Sequence, residues 1–282
     1  MLCFLYVIAL TGSLGLIATL IEPVLAPRAP RRWLWCAAIA LAMTVPGFYQ
    51  AKHNVPIHGK WAAITSHDAL LVALWSKATL GLLLWGVLSV LLVAYAVHRA
   101  RVQRVGPNVV DGVRVVVTEK LGPATAGFWR ARVLLPRWVL AMPSVQRQYI
   151  LRHEEEHRKA HDGRVLFIAS LALVVVPWNV AMWWLLRRLA LAIEMDCDNR
   201  VVSALGHPRR YGELLLRVAQ TGSRGPRLQP GFIGGIGTLE RRLRALVAPA
   251  ALSRALRYLL LFTAIALLLA VLAVPHPVLG AH

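Results

Sequence analysis

Four apolar runs set the terms for this chain. Leu2 to Ile21 carries no charged residue, and Trp33 to Phe48, Leu70 to Val97 and Tyr258 to Val274 follow it. A bilayer core of about 30 Å is crossed by about 20 helical residues. In that medium the backbone must satisfy its own hydrogen bonds, and a helix does so within one segment. With 57% hydrophobic and 16% charged residues, the composition is that of an integral membrane protein. Lys77 interrupts the third run, so that span is expected from Ala78, with Lys77 at the surface or snorkelling to it. Four transmembrane helices are thus expected at about 2–21, 33–48, 78–97 and 258–274, with 275–282 as a short tail. No Lys or Arg precedes the first run, which makes it a poor signal peptide, expected to be retained.

Charge then orients the chain. The net charge is +19, and 29 of the 32 Lys and Arg fall in the first loop or between Arg99 and Arg257; Lys52, Lys60 and Lys77 lie on the other side. Positive residues stay inside. Both termini are therefore expected on the outer side of the membrane, and residues 98–257 in the cytoplasm. The basic excess then faces anionic lipid, and no direct contact with nucleic acid is expected. Cys3, Cys36 and Cys197 are scattered and imply no disulfide framework.

The cytoplasmic stretch mixes both element types. Val113–Thr118 and Arg132–Leu135 read as strands, with Gly122-Pro123 and Gly127 between them. Pro143 opens a helix as its first residue, and Val145, Tyr149, His153, His157 and His161 recur along one side of it. Residues 165–186 are apolar again but are broken by Pro177-Trp178-Asn179. Each arm is about 18 Å as helix, too short to cross. A crossing would also separate Glu194 from His153. A helical hairpin that dips into the bilayer or packs on it is expected instead. Its second arm continues through Glu194 and Asp198 to Leu205, where Gly206 and Pro208 stop it. Arg241-Arg242-Leu243-Arg244 belongs to an amphipathic helix near the surface.

His153-Glu154-Glu155-Glu156-His157 carries the chemistry. One helical turn apart, His153 and His157 can share one zinc ion, and Glu154 beside them can take a proton from water that the ion activates. Catalytic zinc takes three protein ligands. Glu194 is the best third, and Asp198 one turn on can accept the free ring N–H of a ligating histidine. Seven of the chain's thirteen acidic residues lie between Glu154 and Asp198. Acid gathered around two histidines in a basic protein asks for a cation. His161 lies about 12 Å along a straight helix from His153 and cannot share that ion. Cys197 reads as a small buried residue, although a thiolate there could touch a metal. Tyr211, Arg209 and Arg210 are candidates for stabilising an oxyanion, with packing or surface roles equally open. The strand around Val133 could pair with an extended substrate.

Together these residues resemble the membrane-embedded zinc peptidases of the BlaR/MecR type. The resemblance runs from Val113 to Pro249. It rests on Gly127-Phe128-Trp129-Arg130-Ala131-Arg132-Val133-Leu134-Leu135-Pro136, on the His153-to-His157 motif with Asp162, on Pro177-Trp178-Asn179, on Glu194-x-x-Cys197-Asp198 and on Tyr211. It implies a zincin-like α+β domain with His153, His157 and Glu194 as zinc ligands and Glu154 as catalytic residue. It also implies signal-driven cleavage of the protein itself or of a cytoplasmic transcriptional repressor. Two departures stand out. Only Pro275–His282 follow the last run, where the antibiotic sensors carry a penicillin-binding domain, so direct β-lactam sensing is not expected. Glu155 and Glu156 replace small or apolar residues, and are expected on an exposed helix back, paired with Lys159 and Arg152.

The expected protein is thus mainly α and integral to the membrane, a zinc endopeptidase acting on a protein or peptide, with a homodimer open as its assembly. A membrane quality-control protease and a catalytically silent zinc-binding scaffold are the alternatives.

Overall fold

The computed structural model describes residues 2–26, 29–52, 68–103, 106–119, 121–127, 131–222, 236–247 and 252–273. In chain order the helices are α1 (Leu2–Ile21), α2 (Arg32–Lys52), α3 (Asp68–Gln103), α4 (Arg137–Leu140), α5 (Ser144–Ala160), α6 (Asp162–Val175), α7 (Val180–Leu205), α8 (Pro208–Gly222), α9 (Ile236–Val247) and α10 (Arg254–Ala273). The strands are β1 (Val109–Val110), β2 (Val113–Thr118), β3 (Ala124–Ala126) and β4 (Arg132–Pro136). Two compact units form: Met1–Trp85 with Ile168–Ala192 and Ala251–His282, and Gly86–Phe167 with Ile193–Ala250. The polar loop expected after Gln50, Phe128-Trp129-Arg130 and the tail 275–282 lie wholly or largely outside the described residues.

Among the described residues three helical stretches are long and apolar enough to cross a membrane: Phe4–Val24, Val72–Arg99 and Arg254–Val271. The second expected span, 33–48, falls in α2, whose apolar stretch Arg32–Val45 is shorter. In α3 the stretch opens at Val72 rather than Ala78, because the helix runs unbroken through an exposed Lys77. Helix α10 begins at Arg254, four residues before the expected start; Ser253 Oγ accepts the Leu256 N–H at 3.3 Å and caps it.

Within the first unit, Pro177 ends the first arm of the hairpin, for it has no N–H to continue the ladder. The carbonyls left over find partners on α3. Thr79 Oγ1 donates to Val174 at 2.9 Å and Trp75 Nε1 to Val175 at 2.8 Å. Asn179 then starts α7. Its Oδ1 accepts the Met182 N–H at 3.1 Å, while its Nδ2 donates to Thr11 of α1 at 2.9 Å, both side chains fully buried. Farther along α1, a Cβ on Gly15 would stand 2.1 Å from the Trp184 ring, so glycine lets the two helices meet. Arg188 pairs with Glu22 and lies 4.8 Å over the Trp35 ring.

The second unit is built on a four-stranded sheet of order β1-β2-β4-β3. β2 and β4 are parallel, with Val115 opposite Val133 and Val117 opposite Leu135. β1 joins β2, and β3 joins β4, antiparallel. The runs expected as strands are β2 and β4; β1 and β3 are additions. Because β4 is paired on both sides, the strand around Val133 cannot accept a substrate strand, and the edge on that side is β3.

Alternation places Val115, Val117, Val133 and Leu135 on one face. There they bury with Tyr149, Ile150 and Leu151 of α5, Cys197 and Val201 of α7, and Tyr211 and Leu214 of α8. Val116 and Leu134 face the other way, against Val97 and Ala126. Pro143 is the N-cap of α5 rather than its first residue. At the other end His161 takes a left-handed φ of 56° and closes the helix; it stays a neighbour of His157, lining one cleft with it. Helix α7 ends at Leu205, with Gly206 at φ +70° and its N–H on the Val202 carbonyl, as the Gly-x-Pro signal implies.

Candidate metal centre

Helix α5 sets His153 and His157 one turn apart, and their Nε2 atoms approach to 3.2 Å. Glu194, on α7, brings Oε2 to 3.6 Å from His153 Nε2 and Oε1 to 3.7 Å from His157 Nε2. Ligand atoms bound tetrahedrally at zinc distances lie roughly 3.3–3.5 Å apart. The three side chains therefore suit a single ion of that size.

A second grouping is present. Ligand atoms of His153, His157 and Cys197 all lie within 4.8 Å of one another. Cys197 Sγ, however, is 3.3 Å from His153 Nδ1, and its thiol donates to the His153 carbonyl at 3.3 Å. It also interacts with His157, so it borders both imidazoles. Glu194 meets the two Nε2 atoms that already converge.

Each imidazole is held from behind. His157 Nδ1 lies 2.8 Å from Asp162 Oδ2. Asp162, 3% exposed, also accepts from Arg200 at 3.1 Å. His153 Nδ1 lies 2.9 Å from Tyr211 Oη, and Tyr211 donates to Asp198 Oδ1 at 2.7 Å. Asp198 Oδ1 is 3.6 Å from Nδ1, so the expected aspartate support reaches His153 through a tyrosine. Both arrangements put a ring proton on Nδ1 and turn the Nε2 lone pair inward, the usual geometry behind a ligating histidine. Tyr211 is 1% exposed on the Nδ1 side of His153, which rules against the oxyanion role considered for it. Arg209 and Arg210 are exposed on α8.

Glu154 is 6% exposed. Thr125 of β3, not anticipated from the sequence, donates to the Glu154 carbonyl at 2.8 Å and lies 3.1 Å from its Oε2. Edge strand and acid are thus tied together. Glu155 pairs first with Arg158 at 2.6 Å, with Lys159 at 4.0 Å. Glu156 pairs with Arg152 at 2.8 Å as expected. It is nonetheless buried, because Arg200 of α7 covers it at 3.2 Å; that part of the helix back is not exposed.

Arg242 is the other residue the sequence reading missed. Its Nε and Nη2 each lie 2.8 Å from the Asp198 carboxylate, and its Nη1 lies 2.9 Å from Glu194 Oε2. It stands three residues after Leu239 and four before Leu246, on the inward stripe of α9, and that spacing is the signal that could have found it.

Electrostatics follow from this crowding. Burial works against a charged His153, but Cys197 and Glu194 beside it prevail and push it up to about 10. Burial likewise opposes a charged His157, and Cys197, Asp162 and Glu194 together raise it well above its ordinary value. Burial alone would raise Glu194; Arg242 and the two imidazoles hold it below the carboxylate range. Burial and Asp198 push the Tyr211 phenol up, so it stays an O–H donor. A divalent cation competes with the imidazole protons, since histidine ligates in its neutral form.

Two imidazoles and the Glu194 carboxylate thus converge beside the buried Glu154, next to the edge of a small sheet. The chain belongs to the BlaR1 peptidase M56 family, whose model matches residues 24–246. It is also similar to the regulatory protein BlaR1 of Bacillus licheniformis, 27% identical over 97 residues, which are 34% of this chain and 16% of that protein. The match therefore spans about a sixth of that relative. A peptidase family implies a protein substrate and, for this one, a metal.

Proposed function

We propose that this chain is a zinc-dependent endopeptidase of the bacterial cytoplasmic membrane, with a zincin-like domain and its active site on the cytoplasmic side. In this reading it cleaves a regulatory protein, such as a transcriptional repressor, in answer to a signal. The single observation that carries the reading is the meeting of His153 Nε2 and His157 Nε2, on the helix that also carries Glu154, with the Glu194 carboxylate of α7, at 3.2–3.7 Å.

His153, His157 and Glu194 would hold the ion, and Cys197 packs behind His153. When bound, zinc polarises the scissile carbonyl and acidifies water. Glu154 takes the proton of the attacking water as general base and returns it to the leaving amine as general acid. Thr125 bonds the Glu154 backbone carbonyl and stands 3.1 Å from the carboxylate, which fixes the residue beside β3. β3, an edge strand of the sheet among the described residues, offers the substrate an extended backbone to pair with. Asp162 and the Tyr211–Asp198 pair keep the imidazole rings turned. The hairpin α6–α7 dips into the membrane and returns Glu194 to the side of His153, and the basic surface rests on anionic lipid.

The test is a survey of new protein termini in cells making the native chain or Glu154→Ala. One or two new termini, on a soluble regulator or on this chain, are the expected result. Many termini on unrelated membrane proteins would turn the reading to quality control. No difference between the two, with zinc bound to both, would leave a silent scaffold.

A further inference from the structure

We propose that Arg242 is a positioning residue that keeps Glu194 bound to the metal through one oxygen only, so that a coordination position stays open for substrate. The proposal rests on Glu194 being the third ligand. Glu194 and Asp198 stand one turn apart on α7, both largely buried, and two such carboxylates repel. Arg242 is the cation between them, and its side chain is 15% exposed. Its planar fork takes Asp198 with Nε and Nη2 at 2.8 Å each and leaves Nη1 for Glu194 Oε2 at 2.9 Å.

The fork therefore has a fixed direction, which a lysine ammonium on a flexible stem does not reproduce. Nη1 engages one oxygen of Glu194 and leaves Oε1 available. A carboxylate free to bind through both oxygens would fill the position that a catalytic metal keeps open. Through Asp198 the same guanidinium also fixes Tyr211 and, beyond it, His153. One residue of α9 thus sets two of the three ligands.

The experiment uses the full chain in detergent, comparing the native protein with Arg242→Lys, Arg242→Ala and Arg241→Ala, the last an exposed neighbour. Zinc affinity is read by competition with a chromogenic chelator. Coordination number is read from the visible absorption of the cobalt-substituted protein, which weakens as coordination rises above four. Both Arg242 variants are expected to bind zinc roughly tenfold to hundredfold more weakly and to lose cobalt absorption, while Arg241→Ala matches the native protein. Should Arg242→Ala fail to fold, Arg242→Lys decides alone. Native affinity and a native cobalt spectrum in folded Arg242→Lys would overturn the proposal. Zinc-binding native protein that cleaves no peptide sinks the endopeptidase reading and leaves this one standing.

Discussion

His157 Nδ1 and Asp162 Oδ2 lie 2.8 Å apart although α5 has already ended between them. The left-handed His161 makes that contact: it turns the chain back so that the first residue of α6 reaches the last turn of α5. Asp162 is then covered by Arg200 and nearly closed to solvent. Asp162→Ala should weaken zinc binding roughly tenfold to hundredfold, as loss of such a partner does elsewhere. A chelator titration of the purified variant checks this, and unchanged affinity would count against the role given to Asp162.

Tyr211→Phe removes one hydroxyl and leaves His153 Nδ1 and Asp198 facing each other at 3.6 Å with nothing between. A buried polar group that loses its partner costs about 1–3 kcal/mol. The variant should melt at lower temperature than the native chain and bind zinc less tightly. A variant equal to the native protein in both respects would show that the tyrosine only fills space.

Acid sensitivity should trace in part to Asp111 and Arg147. Arg147 donates Nε to Asp111 Oδ2 at 2.7 Å, and this bond holds the Asp111 carboxyl below its ordinary value. A depressed folded pKa means that the pair stabilises the fold above the unfolded value of about 3.9. That contribution fades as pH falls through the lower folded value. Arg147 also holds the Leu140 and Met142 carbonyls, which anchors the loop before α5. Denaturation curves of native protein and Asp111→Asn should therefore differ at pH 6 and converge below pH of about 3. Curves separated by a constant amount at all pH would contradict this.

Gly15→Ala tests the packing of α1 on α7. The added methyl would stand 2.1 Å from Trp184 and 2.7 Å from Leu185. Forced overpacking of this kind costs about 1–3 kcal/mol. Thermal unfolding in detergent should fall by several degrees, whereas Gly81→Ala, where nothing lies within 4 Å, should leave it unchanged.

Much of the site was written locally. His153, Glu154 and His157 announce their geometry by helical spacing alone, and Val113–Thr118 announces its strand by β-branched residues. Glu194 needed one further argument, that the hairpin cannot cross the membrane. What stayed hidden depends on contacts between distant segments. β3 has three residues, too few for any periodicity, yet it carries Thr125 and the sheet edge. Glu156 reads as an outward residue, and only Arg200, forty-four positions away, makes its place a buried one. Arg242 is one of three arginines in four residues, and its neighbours Arg241 and Arg244 are exposed. Its position on the leucine stripe marked it, but only the acids waiting on α7 explain why an arginine belongs there.

The central claim is that one zinc ion is held by His153, His157 and Glu194, with Cys197 left out. X-ray absorption at the zinc edge of the purified full chain tests it most directly. The account predicts nitrogen and oxygen neighbours at about 2.0–2.2 Å and no sulfur. A zinc–sulfur distance of about 2.3 Å, lost in Cys197→Ser, would contradict it and make the thiolate the third ligand.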